Sequence, residues 1–99
     1  MLKIFKVEGH SLYPYLKQGQ RIICFRVFIF NKIRPGDFII FRKEPYGLMI
    51  KRVKYIKNKQ VFAQGTDPSS IDSRDFGLIN ATEIRYKVIS IKFLNKLIS

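Results

Sequence analysis

Two residues far apart in the chain have the types and surroundings for nucleophilic chemistry. Ser11 sits in Val7-Glu8-Gly9-His10-Ser11-Leu12-Tyr13-Pro14, and Lys51 sits in Met49-Ile50-Lys51-Arg52-Val53. A serine hydroxyl is a weak nucleophile near neutral pH and needs a base beside it. The chain's single histidine, His10, adjoins Ser11. Neighbouring residues of an extended chain point to opposite faces, so His10 is a poor partner for Ser11. A lysine serves instead when it is neutral. Its ordinary pKa of about 10.4 falls by several units when the amine loses water. On a strand, residues 49, 51 and 53 share a face, so Met49 and Val53 would flank the Lys51 amine with apolar surface while Arg52 points away. Gly9 lets a substrate backbone come close, and Pro14 fixes the chain after Ser11. The Ser11 N–H is placed to donate to a developing oxyanion, the electrostatic contribution that often dominates acyl transfer.

Taken singly, these segments are ordinary. Gly-x-Ser-Leu-x-Pro reads as a turn, and a lone strand lysine reads as a solvated one. A third block makes the pattern specific: Gly65-Thr66-Asp67-Pro68-Ser69-Ser70-Ile71-Asp72-Ser73-Arg74-Asp75-Phe76-Gly77. Ser70 can hydrogen-bond the lysine amine. Asp72 and Arg74, two residues apart, are expected on one side of an extended segment, facing ionic partners on neighbouring loops.

The elements that must position these groups read mostly as strands. Apolar or alternating runs cover Lys3–Glu8, Arg21–Phe30, Asp37–Arg42, Leu48–Val53, Val61–Gln64 and Lys87–Phe93. Turn signals separate them at Gln18-Gly19-Gln20, Arg34-Pro35-Gly36-Asp37, Pro45-Tyr46-Gly47 and Lys57-Asn58-Lys59. Short strands with frequent turns predict a mostly β chain: a single antiparallel β domain over 1–99, barrel-like or sandwich-like. One or two short helical turns are expected, at Tyr13–Lys17 opened by Pro14 and at Asn80–Ile84 with Asn80 as cap and Glu83 three residues on. Phe93–Ser99 reads equally as a strand end or a short helix.

Composition narrows the function classes. The chain has 99 residues and a formal net charge of +12, from 19 basic and 7 acidic residues. Such a balance favours an anionic partner: nucleic acid, a lipid surface or an acidic peptide. One cysteine, Cys24, rules out an internal disulfide and, with one histidine, argues against a structural zinc site. Lying between Ile23 and Phe25, Cys24 reads as a buried packing thiol. No metal or cofactor is called for. The longest apolar tract, Ile22–Phe30, is broken by Arg26 and is well short of the roughly 20 residues of a membrane-spanning helix. The N-terminal residues do not form a signal peptide. The expectation is a chain in the cytoplasm or at the membrane periphery, neither spanning the bilayer nor exported by a visible signal.

The three blocks, in this order, resemble the type I signal peptidases, a family of serine/lysine proteases. That family carries Gly/Ser-x-Ser-Met-x-Pro, then Lys-Arg-Val/Ile, then Gly-Asp-Asn…Ser-x-Asp-Ser-Arg-x-x-Gly. The matching positions here are Gly9, Ser11, Pro14, Lys51, Arg52, Val53, Gly65, Ser70, Asp72, Ser73, Arg74 and Gly77. Pro35-Gly36-Asp37-Phe38-Ile39-Ile40-Phe41 is similar to the family's Gly-Asp-Ile-Val-Val-Phe strand, so the resemblance runs from about residue 5 to 92. It implies the β fold shared by signal peptidases and SOS-repressor proteases. It further implies Ser11 as nucleophile, Lys51 as general base, Ser70 holding the lysine, and Asp72 and Arg74 bracing the loop. Leu12 replaces the usual Met, a volume-conserving change. Gly9 cannot supply the hydroxyl with which some members assist the oxyanion. The chain is most similar to short members such as the maturation proteases of nickel superoxide dismutase. The implied reaction is removal of an N-terminal leader or propeptide from a protein precursor. The implied surroundings include peripheral contact with an anionic membrane through Ile22–Phe30 and the positive charge. The competing expectations are a catalytically degenerate relative and a basic β module that binds single-stranded nucleic acid. The chain lacks an aromatic-rich RNA-binding signature, which disfavours the second.

Overall fold

Phe38-Ile39-Ile40-Phe41 is apolar without alternation, the pattern of a strand covered on both faces. The computed structural model, which describes residues 1–28 and 33–89, bears this out: Ile39 and Ile40 are consecutive and both buried, so they enter different cores. The strands are β1 (Leu2–Lys6), β2 (Arg21–Arg26), β3 (Phe38–Lys43), β4 (Gly47–Lys57), β5 (Gln60–Gln64), β6 (Ile79–Asn80) and β7 (Ile84–Val88). Among the described residues they form one sheet in the order β1-β2-β7-β3-β4-β5-β6, with every pairing antiparallel. The expected fold class, a mostly β antiparallel domain, is therefore observed.

The sheet has a core on each side. Val7, Leu12, Leu16, Ile22, Cys24, Ile40 and Val88 make one. Ile33, Ile39, Phe41, Val53, Val61, Ala63, Ile79 and Ile84 make the other. β3 lies between them, and its neighbour β4 inherits the same division. Ile50, opposite Ile40, packs on the first core. Lys51, opposite Ile39, lies on the side of the second, with Val53 buried and Met49 packed beside it. Cys24 is buried in the first core, as expected of a packing thiol, and loss of water pushes its pKa up to about 12.

Several expectations shift. β4 extends to Lys57, four residues beyond the apolar run, because a bulge between Val53 and Tyr55 keeps it in register with β5. The last described strand begins at Ile84 rather than Lys87. The expected strand end beyond Ile89 and the ambiguous Phe93–Ser99 lie outside the described residues, as does part of the Ile22–Phe30 tract. Asn80 caps a 3₁₀ turn, Ala81–Glu83, through the anticipated reciprocal bonds with Glu83. Tyr13–Lys17 is not a helix. It is a turn carrying one helix-like bond, Leu16 N–H to the Leu12 carbonyl at 3.0 Å. Leu12 and Leu16 are both buried while Tyr13, Pro14 and Tyr15 are exposed, so two leucines hold a single turn against the sheet and nothing extends it.

The segment after Ser11 is thus anchored by Leu12 and Leu16. Leu16→Ala should lower stability by about 2–5 kcal/mol, the range for emptying a fully buried leucine site. Urea unfolding of this variant beside Tyr15→Ala, on the exposed side of the same turn, should show the smaller loss for the tyrosine.

Candidate active site

Ser11 and Lys51 come together at a groove of about 400 Å³. Its lining includes Val7, Glu8, Ile22, Ile40, Leu48 and Ile50 as well as the two polar residues. β4 and β3 bring Lys51 there, and the chain leaving β1 brings Ser11. Lys51 is 4% exposed and Ser11 is half-buried, whereas His10 is exposed. Loss of water pulls the Lys51 pKa down. The negative charge of Asp72 pushes it back up, and the positive charge of Arg74 opposes Asp72. The net shift is downward, so the neutral amine is more accessible here than in water. No hydrogen bond joins the Lys51 amine to Ser11 or to another described residue. The Ser11 N–H likewise donates to no described partner.

The third sequence block holds Ser11 from the other side. The Ser11 carbonyl accepts hydrogen bonds from the Thr66 N–H at 2.5 Å, the Thr66 hydroxyl at 3.1 Å and the Asp67 N–H at 3.4 Å. The Thr66 hydroxyl also donates to the Tyr13 carbonyl at 2.5 Å. Gly65 is buried, and a Cβ there would stand 2.5 Å from Ser70 Oγ and 2.7 Å from the Ser11 carbonyl oxygen. Arg52 pairs with Gln64 between β4 and β5, so the register continued by one residue sets Gly65 opposite Lys51. Gly65 is thereby the point where the lysine strand, the Ser70 loop and the serine turn converge, and only a hydrogen side chain fits. Thr66 and Gly65 are the positioning residues that sequence reasoning had not assigned a contact. Their signal was the Gly-Thr pair immediately after an apolar strand.

Asp72 and Arg74 depart from the expected extended arrangement. Asp72 caps a short helix, α1 (Ser73–Phe76), and Arg74 folds back onto it. The Asp72 carboxylate is fully buried and accepts from the Gly65 N–H at 2.8 Å, the Arg74 N–H and Nε at 2.9 Å, and Arg74 Nη2 at 2.7 Å. A helix cap satisfies more of a buried carboxylate than an extended strand would, because successive N–H groups converge on it. Burial alone would raise the Asp72 pKa, but the Arg74 side chain and the Gly65 and Arg74 N–H groups outweigh it and hold the carboxyl below the usual range. Ser70 also departs from expectation. Its hydroxyl donates to the Asp67 carbonyl at 2.8 Å and makes no bond to the lysine, because the Asp67–Ser70 turn closes on itself first. Gly9 has a backbone φ of +80°, a conformation that side chains rarely adopt, and open space where a Cβ would stand.

The groove has two unpaired walls. β1 is an edge of the sheet and pairs only with β2. Val7 N–H and C=O bond toward the β2 side, to Gln20 and Gly19, so by alternation the backbone groups of Lys6 and Glu8 face outward. β5 takes up β4 only from Arg52 onward, and the Val53 N–H bonds to Asp37. The same alternation turns the backbone of Leu48 and Ile50 away from β3. All four of these residues line the groove.

Among the described residues no His, Cys, Asp and Glu cluster could hold a metal ion, and no helix is long and apolar enough to cross a membrane. Comparison with family models and with curated proteins finds no match for the chain.

Two outcomes follow. Gly65→Ala must displace Ser11 or Ser70, costing about 1–3 kcal/mol of stability as overpacking does. Amide hydrogen exchange at Thr66 should speed beyond what that loss explains, because its acceptor is the displaced Ser11 carbonyl. Asp72→Asn should destabilise by roughly 2 kcal/mol at neutral pH, less than a fully buried pair because Arg74 keeps some water. The carboxyl's folded pKa lies below its unfolded value, so its contribution is complete above about pH 4 and is lost as pH falls through the folded value. Urea midpoints of wild type and Asp72→Asn should therefore converge in strong acid.

Proposed function

We propose that the chain is a serine endopeptidase with a Ser11/Lys51 dyad, acting on an extended segment of a protein precursor to remove its N-terminal leader or propeptide. The observation that carries this reading is a buried lysine, its pKa lowered by loss of water, on the same groove as a serine whose N–H is uncommitted. The groove walls add to it. An extended peptide laid between Lys6–Glu8 and Leu48–Ile50 finds unpaired backbone groups on both sides, the main-chain recognition used in strand addition. Such recognition reads backbone first and favours an unfolded leader over a folded domain.

In this mechanism neutral Lys51 Nζ takes the proton from Ser11 Oγ as the oxygen attacks the scissile carbonyl carbon. The carbonyl oxygen becomes an oxyanion, and the Ser11 N–H donates to it. The lysine ammonium then gives its proton to the departing amine as the C–N bond breaks, leaving an acyl ester on Ser11. A water molecule, deprotonated by the same amine, attacks the ester, and Ser11 recovers its proton as the acid leaves. Asp72 and Arg74 touch no reacting atom. They position Gly65 and set the field at Lys51.

Incubation with a diverse mixture of extended peptides, read by mass spectrometry, tests the proposal. Wild type should cut internal bonds, with activity rising with pH as Lys51 loses its proton below the ordinary lysine value of about 10.4. Ser11→Ala and Lys51→Met should be inactive. His10→Ala should keep most activity. Turnover retained in Ser11→Ala would reject the dyad, and loss in His10→Ala equal to that in Ser11→Ala would reject lysine as the base.

A further inference from the structure

The chain has 7 acidic residues against 19 basic ones, and the fold engages every acid but one. Asp37 pairs with Lys87 at 3.2 Å, Glu44 with Arg42 at 2.7 Å, Glu83 with Lys43 at 3.6 Å and Asp72 with Arg74 at 2.7 Å. Asp67 accepts from the Ser69 N–H and hydroxyl, and Asp75 accepts from the Asp72 N–H. Glu8 is the exception. Among the described residues no cation or hydrogen-bond donor meets its carboxylate. It is exposed, and it lines the groove three residues before Ser11. An unpaired surface carboxylate is ordinary in a chain rich in acids. Where cations are this abundant, a carboxylate left without one on the wall of a groove is available to a cation from outside.

Alternation says what would meet it. Val7 is buried in the first core while Lys6 and Glu8 are exposed, so these two side chains share the other side of the edge. Across the groove β4 divides in the same way: Ile50 packs on the first core, and Met49 and Lys51 lie on the opposite side. A peptide added between the two edges sends alternate side chains to each side. One series meets Val7, Ile40 and Ile50, and the other passes Lys6 and Glu8. We infer that Glu8 selects a lysine or arginine of the bound segment, in this second series, close to the bond that is cut. The inference rests on the peptidase reading and names a side chain its substrate carries. Three residues of extended chain span roughly 10 Å, so the selected residue lies within about four positions of the scissile bond. Glu8 acts on the substrate rather than on the base, because the carboxylates that shift Lys51 are Asp72, Asp75 and Asp67. Lys6 shares the side but stands roughly 7 Å further along the edge, so it faces a different peptide residue. The net charge of +12 favours acidic peptides at long range, yet it acts on a charge at any position, whereas Glu8 acts at one register.

Two readouts test this, one of them without turnover. The first is binding to Ser11→Ala of short fluorescein-labelled peptides of alternating alanine and serine, in which each serine in turn is replaced by Lys, Gln or Glu. Salt at about 0.15 M screens the long-range field. At one position Lys should be preferred over Glu by about three- to fivefold, the size of an exposed ion pair, while the other positions show no such preference. Adding Glu8→Gln should abolish the preference at that position, and Glu8→Lys should reverse it. The second readout is the set of bonds that wild type cuts in a diverse peptide mixture. Lys and Arg should be enriched at one position within about four residues of those bonds, and the enrichment should disappear in Glu8→Gln. Binding or cleavage with no position that prefers a cation, or a preference that survives Glu8→Gln, would overturn the inference and leave the peptidase reading standing. Absence of both binding and cleavage would overturn the peptidase reading and the inference with it.

Discussion

A carboxylate with no access to water organises this site. Asp72 cannot be buried as an anion unless its lone pairs are filled, and the chain fills them from two directions: the Gly65 N–H at the end of β5 and three donors of Arg74. Meeting that demand fixes where the segment from Gly65 to Arg74 can lie. Once Gly65 is held, Thr66 follows it to the Ser11 carbonyl, and the serine turn is tied to a strand more than fifty residues later in the chain. Leu12 and Leu16 hold the other end of that turn in the first core. The Ser11 backbone is therefore clamped between a polar network and an apolar one, and neither alone would fix it.

The same carboxylate constrains the lysine. Lys51 is surrounded by apolar surface on its own strand, and that surface lowers its pKa. Asp72 works against this, because an anion nearby favours the charged amine. Arg74 lies against Asp72, and its positive charge offsets that effect at Lys51. Without Arg74, the Asp72 charge would oppose more strongly the loss of water that lowers the Lys51 pKa. An apolar residue in place of Asp72 would release Gly65. The bidentate pair reconciles the two requirements: it supplies the acceptor that Gly65 needs while offsetting part of that anion's effect on the amine.

Much of the architecture was legible because it depends on period and punctuation. Glycine and proline marked the turns, and β2 through β5 fall within a few residues of where apolar runs placed them. The burial of Lys51 was legible too, since Met49 and Val53 share its face on a strand. What sequence reasoning missed depends on contacts across the chain. Whether Asp72 and Arg74 sit on a strand or a helix cap is decided by donors that converge on the carboxylate, including one from Gly65, and no local spacing encodes that. Ser70 was expected at the lysine, but a closer acceptor, the Asp67 carbonyl three residues before it, takes its hydroxyl. The tract Ile22–Phe30 read as one apolar stretch because hydropathy does not say which alternate residues a partner strand will cover.

Those uncovered residues and the open groove arise from one feature of the sheet. Its second core lies under β3, β4 and β5, and among the described residues Leu2, Ile4 and Phe25 on the outer face of β1 and β2 stay exposed. At the same place β4 runs on past the end of β5 and leaves its own edge unpaired opposite the edge of β1. An unpaired edge is ordinarily a hazard, since any extended chain can add to it. Here one such edge carries Lys6 and Glu8 and the other lies beside a buried lysine, so addition is confined to a charged slot with Ser11 at its side. A sheet that closed fully would have removed the hazard and, with it, the only backbone surface among the described groove residues on which an extended peptide could be held against Ser11.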